Sequence, residues 1–426
     1  MELHLNCADF QAKRCTSCSW LAQSYREQLN AKQARAAAAI FAAKPNSSLI
    51  WLAPQPSAQS AFRNKAKMVV GGTAQAPILG ILQPTGTLEL AHCPLYPPAI
   101  GDAWPIVRAW LSTVAIAPYD VSRRTGELKY LILTAASPES AGALMLRLVL
   151  RSKEALDRVR KQLPALLTQL PRLLVVSVNL QPEPKAILEG VEEIVLTECT
   201  ALPMMVNDLT LYLRPQSFFQ TNSAMAVALY QCATSWLQTM QPTSVLDLFC
   251  GVGGFALHAA RALPSVEVTG VECSSEAILA ARESAYAAGL TNARFYAGDA
   301  LAIAESLHIG KSVQIGRRAD CIIVNPPRRG LGPALCEFLE KSGANDVIYS
   351  SCNIETLAAD LLCLPSFQPQ TAQVLDMFAH TPHFEVIVWL KRGVKRCVKI
   401  YSTIAITCQP PTKSAITDSA HNLNSR

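Results

Sequence analysis

The chain has 426 residues, of which half are hydrophobic and only 16% charged, against a usual charged share of about 25%. Such a composition excludes a disordered or low-complexity protein, because it supplies apolar material for a sizeable core in two or three domains. The 38 Lys and Arg against 32 Asp and Glu leave a net charge of +6, which permits a polyanionic partner without arguing for one.

Fourteen cysteines stand out. The start MELHLNCADFQAKRC has no apolar signal-peptide core, and no run approaches the ~18 apolar residues of a membrane helix. A cytosolic chain with reduced thiols and no membrane partner is therefore expected. Residues 1–60 hold three early cysteines, then an Ala-rich helix from about Glu27 to Ala43 that stops at Pro45-Asn46-Ser47. Residues 61–202 read mostly as strands: FRNKAKMVV, ILGIL, LKYLILT, ALMLRLVL and LLVVSVNL, interrupted by a helix from Lys153 to Leu170. Residues 203–392 change pattern. A helix at NSAMAVALYQCATSWLQTM precedes regular alternation of VLDLF, VEVTGVE, ARFYAGD, CIIVN and DVIYSS with helices, which predicts an α/β fold with a parallel sheet covered on both faces. AQVLDMF and HFEVIVWL then predict a hairpin on the sheet edge, and residues 393–426 a disordered tail.

Three places carry chemistry in that α/β half. Val245 to Phe255 is a buried strand running into a Gly-rich turn and a helix, and Glu272 ends the next strand. Glycines let a ligand approach the backbone, and an acid about 20 residues on can accept ribose hydroxyls. A nicotinamide, a flavin or S-adenosylmethionine would fit; the G-x-G-G spacing and Asp247 lie closer to the methyltransferase form. Asn325 ends a strand stopped by two prolines, and Cys352 ends the following strand, so both reach the carboxyl edge where ligands bind. Cys352 is a candidate nucleophile or a core thiol. Met377 to Val386 holds His380, His383 and Glu385, which read equally as a surface loop and a solvated strand start.

A second constellation is Cys7, Cys15, Cys18 and the distant Cys93-Pro94. C-x2-C is a common metal clamp and Cys-Pro typical of iron–sulfur ligation, with four-thiolate zinc or unligated core thiols as alternatives. Basic residues cluster as Arg63, Lys65 and Lys67 on one strand face, as Arg123, Arg124 and Lys129, and as Arg328-Arg329. They suit phosphate contacts, and equally an ordinary solvated face. Phe218 and Phe219 could stack a base or pack the core.

In order, SFFQTN (217–222), DLFCGVGGF (247–255), VNPPRRG (324–330), SSCN (350–353) and DMFAHTPHFE (376–385) resemble the RNA uracil-C5 methyltransferases over roughly residues 7 to 391. The resemblance implies a Rossmann-like class I S-adenosylmethionine methyltransferase domain, preceded by a strand-rich RNA-binding domain and an N-terminal iron–sulfur segment. It implies Cys352 as nucleophile on uracil carbon 6 and Glu385 as the base that removes the carbon-5 proton. Gln220, Phe249, Glu272 and Asn325 would line the cofactor or adjoining site, with Asp299 near the adenine. Some members have Asp where this chain has Asn325, which cannot act as a carboxylate. Cys7, Cys15, Cys18 and Cys93 would hold a [4Fe–4S] cluster, leaving nine ordinary thiols. Because the cluster cysteines are present and only six residues precede Cys7, the chain resembles the short, cluster-bearing group acting on uracil-747 of 23S rRNA. A monomer is expected, with 23S rRNA as its partner.

Overall fold

The computed structural model describes residues 5–84, 86–183, 189–302 and 319–393; the expected tail lies outside them. In the N-terminal part, α1 (Ala8–Gln11) is followed by α2 (Tyr25–Ala43) and the two-residue strand β1 (Ile50–Trp51). Ser24 and Glu27 form a reciprocal capping box at the start of α2, satisfying two backbone donors. The buried stripe of this helix is Gln28, Lys32, Ala36 and Ile40. Two polar residues can face inward because they are partnered: the Lys32 ammonium lies 2.5 Å from Asp376, both side chains fully buried, and the Gln28 amide binds the carbonyls of Trp20 and Gln23.

The middle of the chain runs β2 (Lys65–Gly72), β3 (Pro77–Gln83), β4 (Gly86–Glu89), α3 (Pro98–Val114), β5 (Leu128–Ala135), β6 (Leu144–Leu150), α4 (Leu156–Gln169), β7 (Leu173–Leu180) and β8 (Glu192–Val195). Its sheet has the order β4-β3-β2-β5-β6-β7-β8, antiparallel except for the β6–β7 pair, which α4 connects. α3 was not expected. It lies in the stretch read mostly as strands, yet Ile100, Ala103, Trp104, Val107, Leu111 and Val114 recur at helical spacing and are all buried, with Gly101 and Pro105 carried inside the helix. Pro98 in the first turn, where no intrahelical donor is needed, starts the helix.

The remainder comprises the hairpin β9 (Leu202–Val206) and β10 (Leu209–Leu213), then α5 (Ser223–Met240), β11 (Ser244–Leu248), α6 (Gly254–Ala262), β12 (Glu267–Glu272), α7 (Ser275–Ala287), β13 (Ala293–Ala297), β14 (Cys321–Val324), α8 (Gly332–Ser342), β15 (Asp346–Ser351), α9 (Ile354–Leu362), β16 (Phe367–Leu375) and β17 (Glu385–Arg392). The eight-stranded sheet is ordered β1-β16-β17-β15-β14-β11-β12-β13, with β17 antiparallel to both its neighbours. Cys321 to Val324 and Val347 to Ser351 are continuous buried runs, as strands covered on both faces must be. The β16–β17 hairpin forms as expected, but not on a bare edge: β17 inserts beside β15, and β1 pairs parallel with β16. The N-terminal segment thus completes the C-terminal sheet, and α2 packs on α9. Strand order reverses between β11 and β14, the switch point where open α/β sheets bind ligands. Among the described residues, no helix is long and apolar enough to cross a membrane.

Candidate active site

At the carboxyl end of β11 the backbone turns through Phe249, Gly251 and Gly253, all at positive φ, into α6. Nothing lies within 4 Å of where a Cβ on Gly251 would project, so the turn leaves room for a ligand. Glu272, ending β12, receives the Gly251 N–H at 3.2 Å on one oxygen and the Ser274 N–H at 3.0 Å on the other. Its carboxylate retains lone pairs for ribose hydroxyls. Asp247 is fully buried; one oxygen accepts the Ala256 N–H at 3.0 Å, and Oδ1 has no partner. Burial holds its carboxyl above the usual range. Phe249 and Glu272 therefore belong to one site. Asp299 stands exposed beyond β13, accepting the N–H groups of Leu301 and Ala302. Gln220 is buried before α5, where its carbonyl accepts the Asn64 side chain.

The second group gathers where β14, β15 and β17 meet. Because β17 runs antiparallel, its first residue lies at the carboxyl edge of β15: Ser351 pairs with Val386, which puts Glu385 beside the end of the strand that delivers Cys352. Far from being a solvated strand start, Glu385 is 1% exposed. Ser350 Oγ donates to its Oε1 at 2.5 Å, and Asn325 Nδ2 donates to the same oxygen at 3.1 Å. Burial raises the carboxyl from 4.5 to about 7, opposed by the Ser350 and Asn325 hydrogen bonds. That value suits a proton acceptor working near neutrality. Cys352 is half-buried on a cavity of about 340 Å³ shared with Arg35, Arg328 and His383. Burial and the Glu385 charge push its thiol up, and the Arg328 guanidinium opposes them.

Several residues of this edge went unflagged by sequence. Ser350 lies inside the SSCN motif, next to the cysteine that drew attention. Arg35 comes from α2 and is held by Glu355 and by the Pro382 carbonyl at 3.3 Å; nothing local in an Ala-rich helix points to it. Arg328 was grouped with Arg329 as a phosphate contact, but it also reaches His383 Nδ1 at 3.1 Å, and Asn353 binds its carbonyl at 2.9 Å. His380, read as a surface residue, is buried: its backbone N–H donates to Gln28 at 3.0 Å and its Nε2 lies 2.8 Å from the Gln59 carbonyl oxygen.

Cys7, Cys15, Cys18 and Cys93 line one cavity of about 180 Å³, together with Arg63 and Lys67. Burial, reinforced by the other three thiols, pushes Cys18 up to about 12. Among the described residues no three Cys, His, Asp or Glu side chains are drawn in to metal-bonding geometry, so the thiols share a cavity without being closed around its centre. Of the nine thiols taken as ordinary, Cys232, Cys250, Cys321 and Cys336 are buried, whereas Cys199, Cys273 and Cys363 are exposed rather than packed in the core. Lys65 and Lys67 share a face of β2, alternating with buried Ala66 and Met68 as expected. Lys129 is not a phosphate contact: its ammonium is buried against Gln181 and the Glu183 carbonyl. Phe218 is exposed and Phe219 packs in the core.

A doubly wound sheet with one antiparallel strand, a Gly turn at its switch point and an acid ending the next strand define a class I methyltransferase fold. A solved structure of the Pyrococcus abyssi tRNA (uracil-54, C5)-methyltransferase in complex with S-adenosyl-L-homocysteine shares it, with a TM-score of 0.70 and 22% identity, covering 88% of this chain and 85% of that one. The tRNA (Uracil-5-)-methyltransferase family model matches residues 192–393. The 23S rRNA (uracil(747)-C(5))-methyltransferase RlmC of Halothiobacillus neapolitanus is 46% identical over 389 residues, 91% of this chain and all of that protein. Its counterpart in Pectobacterium carotovorum is 44% identical over 391 residues, 92% of this chain and all of that protein. The chain belongs to the RNA uracil-C5 methyltransferase family.

Proposed function

We propose that this enzyme methylates carbon 5 of a uracil in 23S rRNA, the uracil-747 for which its relatives are named. The observation that carries the chemistry is the meeting of a thiol, Cys352, with a buried carboxylate, Glu385, at one sheet edge. Carbon 5 of uracil is a weak nucleophile until a nucleophile adds to carbon 6. Cys352 Sγ, as thiolate, gives its electron pair to carbon 6, and the ring charge passes to O4 and carbon 5. S-adenosylmethionine, when bound, supplies the electrophilic methyl group that carbon 5 attacks. Glu385 then takes the carbon-5 proton; that electron pair restores the C5–C6 double bond, and the Sγ–C6 bond breaks to return the thiolate. Arg328 favours the thiolate, against burial and the charge of the ionised Glu385 that must later accept the proton.

The cofactor residues fit S-adenosylmethionine. Gly251 leaves open space, Glu272 suits the ribose hydroxyls, and Asp247 Oδ1 is an acceptor without a donor. Phe249, Gln220 and Asn325 complete our assignment of the cofactor and adjoining site. Four thiols on one cavity, with Arg63 and Lys67 to balance anionic charge, are a donor set for a [4Fe–4S] cluster held by Cys7, Cys15, Cys18 and Cys93. The face of Arg63, Lys65 and Lys67, with exposed Arg123, Arg124 and Arg329, would meet RNA phosphates. The target base must leave its stack to reach Cys352.

Incubation with methyl-labelled S-adenosylmethionine and a 23S rRNA transcript tests the reading. Label is expected in 5-methyluridine; label in any other nucleoside, or none at all, would overturn it. Anaerobic purification should give a brown protein with iron and sulfide near four each per chain; a colourless protein with stoichiometric zinc refutes the cluster.

A further inference from the structure

We propose that Ser350, acting with Asn325, is a positioning residue that pins one oxygen of the Glu385 carboxylate and reserves the other for the carbon-5 proton. The proposal rests on the carbon-5 methyl-transfer reading and adds to it the residue that sets the last step.

Among the described residues, both hydrogen bonds made to this carboxylate end on Oε1, from Ser350 Oγ and from Asn325 Nδ2. Ser350 is fully buried in β15, and its own carbonyl accepts the other Asn325 contact at 3.1 Å. Serine hydroxyl, asparagine amide and carboxylate therefore form a closed set bridging β14, β15 and β17. A terminal carboxylate torsion is broad and two-fold, so an unpinned Glu would exchange its oxygens freely. Two donors on Oε1 remove that exchange and leave Oε2 as the atom that takes the proton.

The neutral character of both partners matters. Two donors without charge stabilise the ionised carboxylate while leaving it able to be protonated, which a cationic partner would prevent. A carboxylate in place of Asn325 would face Glu385 with like charge instead. Among the described residues, the other titratable groups facing Glu385 are the Cys352 thiol at the end of β15, itself opposed to Arg328, and the buried Tyr230 phenol of α5. Neither hydrogen-bonds to it, so the serine–asparagine pair sets its ionisation against burial.

The test is single-turnover kinetics on the full-length enzyme with a 23S rRNA transcript, following the covalent protein–RNA adduct and released 5-methyluridine separately from pH 5.5 to 9. Ser350→Ala removes a hydrogen bond to a charged group. It is expected to shift the acid limb of product release upward by about one pH unit and to accumulate adduct at pH 7, with adduct formation itself little changed. Ser350→Thr, which keeps the hydroxyl, should return the limb toward wild type. Asn325→Ala, removing the second donor to the same oxygen, should move it in the same direction as Ser350→Ala, and decides the matter should the alanine at 350 fail to fold. A wild-type limb in the folded variants overturns the proposal. Absence of both adduct and methyluridine in the wild-type enzyme overturns instead the functional reading on which it rests.

Discussion

Glu385 is held buried at the expense of the fold, and Glu385→Gln exposes that cost. In the unfolded chain the carboxyl ionises near 4.5; in the folded protein burial holds the proton to about 7. Between those values the native state binds more protons than the unfolded state, so stability falls as pH rises through this window and then levels off. The interval of about 2.5 units corresponds to roughly 3 kcal/mol at 1.36 kcal/mol per unit. Gln keeps an oxygen to accept from Ser350 and Asn325 but never ionises. The variant should therefore match wild type near pH 4.5 and exceed it by up to about 3 kcal/mol at pH 8. Urea unfolding of both proteins across pH 4.5 to 8 measures the difference. A ΔΔG that is independent of pH, or that favours wild type at pH 8, would refute the assignment of a buried, late-ionising carboxyl. The same variant should trap the RNA on Cys352, since it cannot accept the carbon-5 proton.

Lys32→Met leaves Asp376 charged and buried without its counter-ion, with the Tyr25 hydroxyl at 2.7 Å still donating to it. A loss of about 3–5 kcal/mol is expected in urea unfolding, with partial recovery on adding Asp376→Leu, because removing both charges costs less than removing one. A single-variant loss under about 1 kcal/mol would contradict the pairing. Arg328→Gln withdraws the cationic side chain that lowers the Cys352 thiol, so the pH profile of iodoacetamide alkylation at Cys352 should move to higher pH; an unmoved profile removes Arg328 from thiolate stabilisation.

What could be read from sequence was what the chain writes locally. Two prolines after Val324 and the Gly-rich turn after Leu248 stop their strands by their own geometry, so Asn325, Phe249 and the sheet edge were legible without a fold. The charge of Glu385 was not: its burial follows from β17 running antiparallel beside β15, and a motif does not state strand direction. Arg35 is distant in sequence from the cavity it lines, and α2 is held at that edge by long-range contacts, its packing on α9, the Lys32–Asp376 pair and the β1–β16 pairing beside it. Lys129 misled for the converse reason, since a Lys in a run of basic residues looks solvated until the Gln181 and Glu183 partners are seen. α3 lies within a stretch rich in short strand-like runs, and its packed apolar stripe tolerates Gly101 and Pro105 inside the helix.

The central claim, methylation of a 23S rRNA uracil through Cys352, meets its most direct test in mass spectrometry of 23S rRNA from cells lacking the gene, complemented with wild type or Cys352→Ala. One 5-methyluridine should vanish on deletion, return with the wild-type gene and stay absent with the variant. An unchanged 23S rRNA in the deleted strain, or full restoration by Cys352→Ala, would contradict it.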